Sequence, residues 1–234
     1  MKINNKTRQI NNTVENTRNF QIVEAYRTLR TNLQFALGNK AGKCKKIAVT
    51  SSLPKEGKTL TSINLAITFA QTDAKVLIID CDMRRPRVHR YFEFESRVGL
   101  SNVLSGMCTF DEAVKKAAGV NLSVLPAGLI PPNPVELLSG DNMKNLLDEL
   151  SESFDYIILD TPPINIVADA LSVANLVDGN IIVLSSASST HIETKKAVSQ
   201  FEYANANILG FVLNNVNTKN TKGYSKKYMY YGYR

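Results

Sequence analysis

Six short apolar runs, alternating with longer stretches of helical spacing, constrain the fold of this chain more than any other feature. They are "KIAVTS" (46–51), "KVLIID" (75–80), "LSVLPA" (122–127), "DYIILD" (155–160), "NIIVLS" (180–185) and "ILGFVLN" (208–214). Most are apolar nearly throughout rather than at alternate positions. Strands read that way when both faces of a parallel sheet are covered. Between them, "KTLTSINLAITFAQT" (58–72), "NPVELLSGDNMKNLLDELSES" (133–153), "VADALSVANLV" (167–177) and "THIETKKAVSQFEYANA" (190–206) repeat apolar residues three and four apart. That spacing predicts helices, and "IVEAYRTLRTNLQFAL" (22–37) predicts one more before the first strand. The alternation predicts an α/β fold with a doubly wound, mostly parallel sheet flanked by helices and right-handed crossovers. Ligands of such sheets sit at the carboxyl ends of the strands.

Charge divides the 234 residues into three parts. Residues 1–46 carry ten basic and two acidic side chains, residues 219–234 five basic and none acidic, and the middle thirteen basic and nineteen acidic. The basicity therefore belongs to the ends. The first eighteen residues read as a solvated, flexible terminus, with attraction to anionic headgroups or an acidic partner as the sharper alternative. No RNA- or DNA-binding module is legible, so no nucleic-acid partner is expected. No run of eighteen apolar residues predicts a membrane span, and the N-terminus lacks the apolar core of a secretory signal. Cys44, Cys81 and Cys108 form no CxxC, which suits free thiols in a reducing cytosol.

The chemistry begins at "SSLPKEGKT" (51–59), between the first strand and its helix. It matches GxxxxGK[ST] at Gly57, Lys58 and Thr59, with Ser52 in place of the first glycine. A loop turning into a helix N-terminus aims backbone N–H groups at an anion. Pro54, Lys55, Glu56, Gly57, Lys58, Thr59 and Leu60 are thus the candidate phosphate cradle. In such a loop the lysine contacts β- and γ-phosphates and the hydroxyl ligates Mg²⁺. Two further strands end in carboxylates, Asp80 and Asp82 in "VLIIDCDMRRP" (76–86) and Asp160 in "YIILDTPP" (156–163). Three carboxylates beside one phosphate loop suit a hydrated Mg²⁺, with some acting through water. Singly, each could instead cap a following helix.

A P-loop, a strand ending DxDxR and a later strand ending D-x-PP form the pattern of the deviant-Walker P-loop ATPases. Within that superfamily, "PKEGKT", "IIDCDMRRP", "GLSNVLSG" (99–106), "PPNPVELL" (131–138) and "ILDTPP" closely resemble the bacterial tyrosine kinases of capsule and exopolysaccharide loci, over roughly residues 20–234. The resemblance implies ATP and Mg²⁺ as cofactors. It implies Lys58, Asp80, Asp82 and Asp160 as catalytic, and Thr59, Asp82 and Asp160 as the metal environment. Asp80 would lie near the γ-phosphate, orienting metal-bound water or accepting a tyrosine proton. Asn214 resembles an adenine-contacting asparagine, and Arg84 or Arg85 could steady transferring charge. Two positions depart from the pattern. Lys55 stands where the family usually has glycine, and Leu53 stands where partition-type ATPases carry a lysine that reaches a partner's nucleotide site.

The resemblance also gives the C-terminus a role. Five of the nine tyrosines, Tyr224, Tyr228, Tyr230, Tyr231 and Tyr233, lie in the last eighteen residues, which otherwise read as disorder. They are expected to be autophosphorylated in trans. "EAYRTLR" matches an ExxRxxR oligomerisation motif, with Glu24, Arg27 and Arg30 at helical spacing. A local Glu24–Arg27 pair is the simpler reading of those charges. The expected organisation is a basic segment with an oligomerisation helix (1–45), a P-loop kinase domain (46–217) and a disordered tyrosine-rich tail (218–234). Expected partners are further copies in a ring, an octamer by resemblance, a membrane-embedded polysaccharide co-polymerase as activator, a cognate tyrosine phosphatase and protein substrates. The expected location is cytoplasmic, peripheral to the inner face of the cell membrane. A surface-positioning ATPase and a non-catalytic nucleotide-binding adaptor are the alternatives; Leu53 and the tyrosines favour the kinase.

Overall fold

A computed structural model describes residues 13–14, 20–38, 44–117 and 119–216. The five tail tyrosines and the expected disorder beyond 217 lie outside the described residues, as does most of the basic N-terminal segment. In chain order the elements are α1 (Phe20–Leu37), β1 (Lys45–Ser51), α2 (Lys58–Ala70), β2 (Val76–Asp80), α3 (Val88–Tyr91), α4 (Leu100–Leu104) and α5 (Phe110–Ala113). They continue with β3 (Lys115–Lys116), β4 (Leu122–Leu125), α6 (Pro134–Ser139), α7 (Asp141–Leu150), β5 (Tyr156–Asp160), α8 (Asp169–Ala174), β6 (Gly179–Ser185), α9 (His191–Tyr203) and β7 (Ile208–Asn214).

The seven strands form one sheet in the order β3-β4-β2-β5-β1-β6-β7. All neighbours pair parallel except β3 with β4. The continuous apolar runs have the expected cause. Ile47 and Val49 of β1, Val76 and Ile78 of β2 and Ile158 of β5 face one core with α1 and α2. Ala48, Leu77, Ile79, Ile157 and Leu159 face a second core with α4 to α8. Ile182 of β6 joins α8 and α9 in a third. Each central strand is therefore buried on both sides.

Three features depart from the sequence reading. The helix expected over 133–153 is two helices, because Gly140 adopts extended backbone (φ −74°, ψ 160°) between them. Glycine is among the weakest helix formers, and one residue in the wrong well ends the hydrogen-bond ladder. Strand β3 is only two residues long, too short for any periodicity to show. At the N-terminus, Thr13 and Val14 are buried rather than solvated. Val14 joins the first core, and its N–H donates to Asn64 Oδ1 of α2 at 2.9 Å.

Helix α1 also belongs to that core. Leu33 is 4% exposed, and Tyr26, Leu29 and Leu37 pack beside it. Truncation to Leu33→Ala is expected to cost about 2–4 kcal/mol through the cavity left behind. Urea denaturation followed by circular dichroism measures it. A loss below about 0.5 kcal/mol, the usual scale of surface substitutions, would mean that α1 docks without stabilising the sheet.

Candidate active site

The phosphate loop lies at the carboxyl end of β1 and runs into α2. Gly57 is the N-cap of α2 with φ 98°, and no side chain caps this terminus. The first-turn amides of Lys58, Thr59 and Leu60 have no acceptor within the helix, so the terminus presents donors and a positive dipole end to an anion. Pro54 and Lys55 form the exposed tip. Gly57 has a second reason to be glycine, since a Cβ there would fall 2.0 Å from Asn214 Nδ2. Lys55 has φ 70°, a left-handed conformation that costs an L-residue about 1 kcal/mol or more. A left-handed backbone suits the glycine that the resemblance leads one to expect at this position; the lysine here accepts the strain.

The carboxylates arrive from two neighbouring strands. Parallel pairing of β2 with β5 sets Asp80 opposite Asp160. Lys58 Nζ lies 2.8 Å from Asp82 Oδ2 and 3.7 Å from Asp160 Oδ2. Thr59 Oγ1 donates to Asp160 Oδ2 at 2.7 Å, and Ser62 Oγ donates to Asp160 Oδ1 at 3.0 Å. The Lys58 side chain is 11% exposed and folded onto the acids, as opposite charges in a poorly solvated site should be.

The three acids differ in their partners. Asp80 is fully buried, and its oxygens accept the N–H groups of Asp82, Arg87 and Val88. It shapes the 80–88 loop and caps the short α3, the role weighed for each aspartate from sequence. Asp82 accepts from Arg85 N–H and holds Lys58. Asp160 is spent on Thr59, Ser62 and Lys58. Arg84 forks onto the buried carboxylate of Asp169 at the start of α8, at 2.9–3.2 Å. It pins the loop that carries Asp82.

Two other expected ligands face the protein. The Glu56 side chain is buried among Ser52 Oγ, Leu53 N–H and Ser189 Oγ, so only its backbone remains available to a phosphate. The first glycine of the motif is replaced because the Ser52 hydroxyl donates to this carboxylate. Asn214 donates from Nδ2 to the Glu56 carbonyl at 3.1 Å, bracing the loop. In the oligomerisation motif, Glu24 and Arg27 pair with each other at 2.6 Å. Arg30 donates to Thr68 O of α2 at 2.7 Å, within the same chain. Sequence reasoning missed Ser62, Asp169 and Ser189. Ser62 had a signal, lying one helical turn beyond Lys58 and Thr59; the other two are distant in sequence and had none.

Thr59, Asp82 and Asp160 are hard oxygen donors of the kind Mg²⁺ takes. Among the described residues no three acidic, histidine or cysteine side chains are arranged to hold a metal by themselves. This narrows the expected three-carboxylate environment, because Asp80 is engaged by the backbone. Mg²⁺ keeps several waters and draws on phosphate oxygens, so a partial protein shell fits it.

A strand–loop–helix phosphate cradle facing acids on adjacent parallel strands defines a P-loop nucleotide-binding domain, and an AAA domain family matches residues 44–201. The chain is 42% identical to the tyrosine-protein kinase YwqD of Bacillus subtilis over 209 residues, 89% of this chain and 86% of that one. The kinase domain of the Escherichia coli tyrosine kinase ETK superposes with a TM-score of 0.81 at 36% identity, covering 91% of this chain and 81% of that one. The chimerical protein CapA2B2 matches with the same TM-score at 33% identity, covering 90% of each chain. The chain belongs to the bacterial tyrosine-protein kinase family.

Electrostatics supplies a test of the acid pair. Burial and then the facing Asp160 push Asp80 up to about 8, against the pull of the Val88 N–H. Asp160 is also raised, by burial, against Lys58 and Thr59. Burial disfavours the charge on Lys58, but Asp160 and Asp82 outweigh it and raise its pKa. The fold therefore keeps a proton on Asp80 that the unfolded chain releases above about pH 4. Stability of the metal-free protein is expected to fall as pH rises from about 4 through 8. Asp80→Asn should make that slope shallower, in melting curves taken with chelator. An unchanged slope would show that the pair does not share its charge in this way.

Proposed function

We propose that the chain is an ATP-dependent protein tyrosine kinase that phosphorylates its own C-terminal tyrosines in trans and regulates capsular or exopolysaccharide assembly. The observation that carries this reading is the Lys58 ammonium held between Asp82 and Asp160 at the uncapped start of α2. Phosphoryl transfer needs positioning and charge neutralisation rather than covalent help from the protein. The first-turn amides and Lys58 bind the phosphates. Thr59, Asp82 and Asp160 would hold Mg²⁺, which supplies charge neutralisation when bound. The tyrosine oxygen forms the new bond to the γ-phosphorus as the bond to the β–γ bridging oxygen breaks, and ADP leaves with that oxygen.

A phenol has a pKa of about 10, so a carboxylate that takes its proton assists attack. Asp82 is the best-placed acceptor. It is the least buried of the three, at 6% against 0% for Asp80 and Asp160. Asp80 instead keeps the 80–88 loop in shape. Asn214 contributes by bracing the loop beneath the nucleotide. Leu53 supports a kinase over a surface-positioning ATPase, since it offers no cation to a partner's site.

Self-association in a ring would bring each C-terminal stretch to a neighbouring active site. Arg27, paired with Glu24 at the surface of α1, would exchange that partner for an acid of the next subunit, leaving Glu24 to a cation there; Arg30 stays on Thr68 and fixes the helix. A membrane-embedded activator and a cognate phosphatase complete the reading. Among the described residues no helix is long and apolar enough to cross a membrane, so peripheral location would come through that partner.

Intact mass after incubation with ATP and Mg²⁺, with the activator fragment present, tests the proposal. Gains of one or more phosphates are expected, lost on removal of residues 222–234 and in Lys58→Met. Because Lys58→Met strands acids in a poorly solvated site, its melting curve is recorded beside it. ADP release with no mass gain in wild type would replace the kinase with an ATPase.

A further inference from the structure

We propose that Glu56 and Ser189 are positioning residues that lock the phosphate loop in its binding shape and tie it to the end of β7. The proposal rests on the nucleotide-binding reading above and adds to it a device lying wholly behind the loop.

Glu56 is fully buried. A buried carboxylate needs its lone pairs filled, or it neutralises. Here they are filled by the Ser52 hydroxyl at 2.9 and 3.0 Å, the Leu53 N–H at 2.8 Å and the Ser189 hydroxyl. The first two donors belong to the loop itself, 52–57. Ser189 does not; it sits in the β6–α9 connection, 133 residues away. It is thus the one donor of the set that fixes the loop to another part of the molecule.

The connection continues. Ser189 Oγ accepts the Ser185 N–H at 2.7 Å. Ser185 Oγ accepts from Asn215 Nδ2 at 3.2 Å. The Asn215 N–H donates to Asn214 Oδ1 at 2.8 Å, and Asn214 Nδ2 returns to the Glu56 carbonyl at 3.1 Å. Ser186 seals the ring through its N–H to Asn214 O and its hydroxyl to Asn215 O. The phosphate loop is gripped twice, by its Glu56 side chain and its Glu56 backbone, and both grips end on the residues that close β6 and β7. Asn215 adopts a left-handed conformation (φ 57°) to close the ring.

The consequence is mechanical. The amides that face a phosphate follow Glu56 directly, so a loop released at Ser189 keeps its sequence but loses its preorganisation. Ordering it on binding then costs affinity. A charge-assisted hydrogen bond is strong enough to decide this, and its loss should read as about tenfold.

The test uses the full chain and two independent readouts. In ligand-free protein, Ser189→Ala is expected to speed amide hydrogen exchange over residues 53–57 about tenfold, with the melting temperature lowered by only a few degrees. Trypsin cleavage at the exposed Lys55 should accelerate in parallel. Calorimetry with MgADP should show about tenfold weaker binding in Ser189→Ala and in Glu56→Gln, with Ser189→Thr restoring wild-type values. Unchanged local exchange in Ser189→Ala overturns the proposal, as does a fall in melting temperature of more than about ten degrees, which would mark a general structural role. Failure of wild type to bind MgADP would remove the nucleotide reading by itself, while the ligand-free exchange still decides whether Ser189 locks the loop.

Discussion

One cation among acids organises this molecule. Lys58 sits at the start of α2, Asp82 just beyond β2 and Asp160 at the end of β5, and their meeting requires β2 and β5 to be neighbours in register. None of these side chains is well solvated, so each charge needs the others. The sheet order places β5 between β2 and β1, which brings the loop after β1 against the ends of both acid-bearing strands. A swap in strand order would leave buried carboxylates without their lysine, and it would destroy the site and the fold together. The site is therefore also a statement about topology.

Around that centre, polar groups are divided between chemistry and scaffolding. Asp80 and Glu56 are both fully buried acids beside the phosphate loop, and both are hydrogen-bonded by groups of the protein itself. Asp80 gathers three backbone N–H groups and folds the 80–88 loop around itself. Glu56 does the same for the loop that carries Gly57. Arg84, forked onto Asp169, anchors the 80–88 loop from outside. Preorganisation of this kind matters for a site that works by electrostatics, because dipoles already in place need not reorganise as charge moves.

The sheet and the centre of the site were legible in the sequence for a physical reason. Apolar runs over strands such as Val76–Asp80 record burial on both faces, and burial is a tertiary fact written into each residue. Lys58, Thr59, Asp82 and Asp160 were legible because strand ends and helix starts are where parallel sheets collect ligands. What escaped were interactions between distant residues of ordinary type. Nothing local marks Ser189 as the partner of Glu56, or Asn214 as a brace of the phosphate loop. The αL conformation of Lys55 was hidden because a lysine does not advertise it. The burial of Val14 was hidden by the polar residues around it, since one apolar side chain has no period.

Charge links this centre to the C-terminal stretch. The body between residues 47 and 218 carries six more acidic than basic side chains, and residues 219–234 carry five basic and none acidic. On the proposed reading, the basic stretch before phosphorylation would be drawn toward the acidic body, so modest recognition of each tyrosine would suffice once tethering had raised its local concentration. Each phosphate adds about −1.5 to −2 at neutral pH. On the proposed reading, three phosphates would cancel the positive charge of the stretch and the remaining two tyrosines would reverse it. A reversed stretch would be repelled by the same body that first attracted it. On that reading the reaction would limit itself without a separate inhibitory site, through the sign of charge alone.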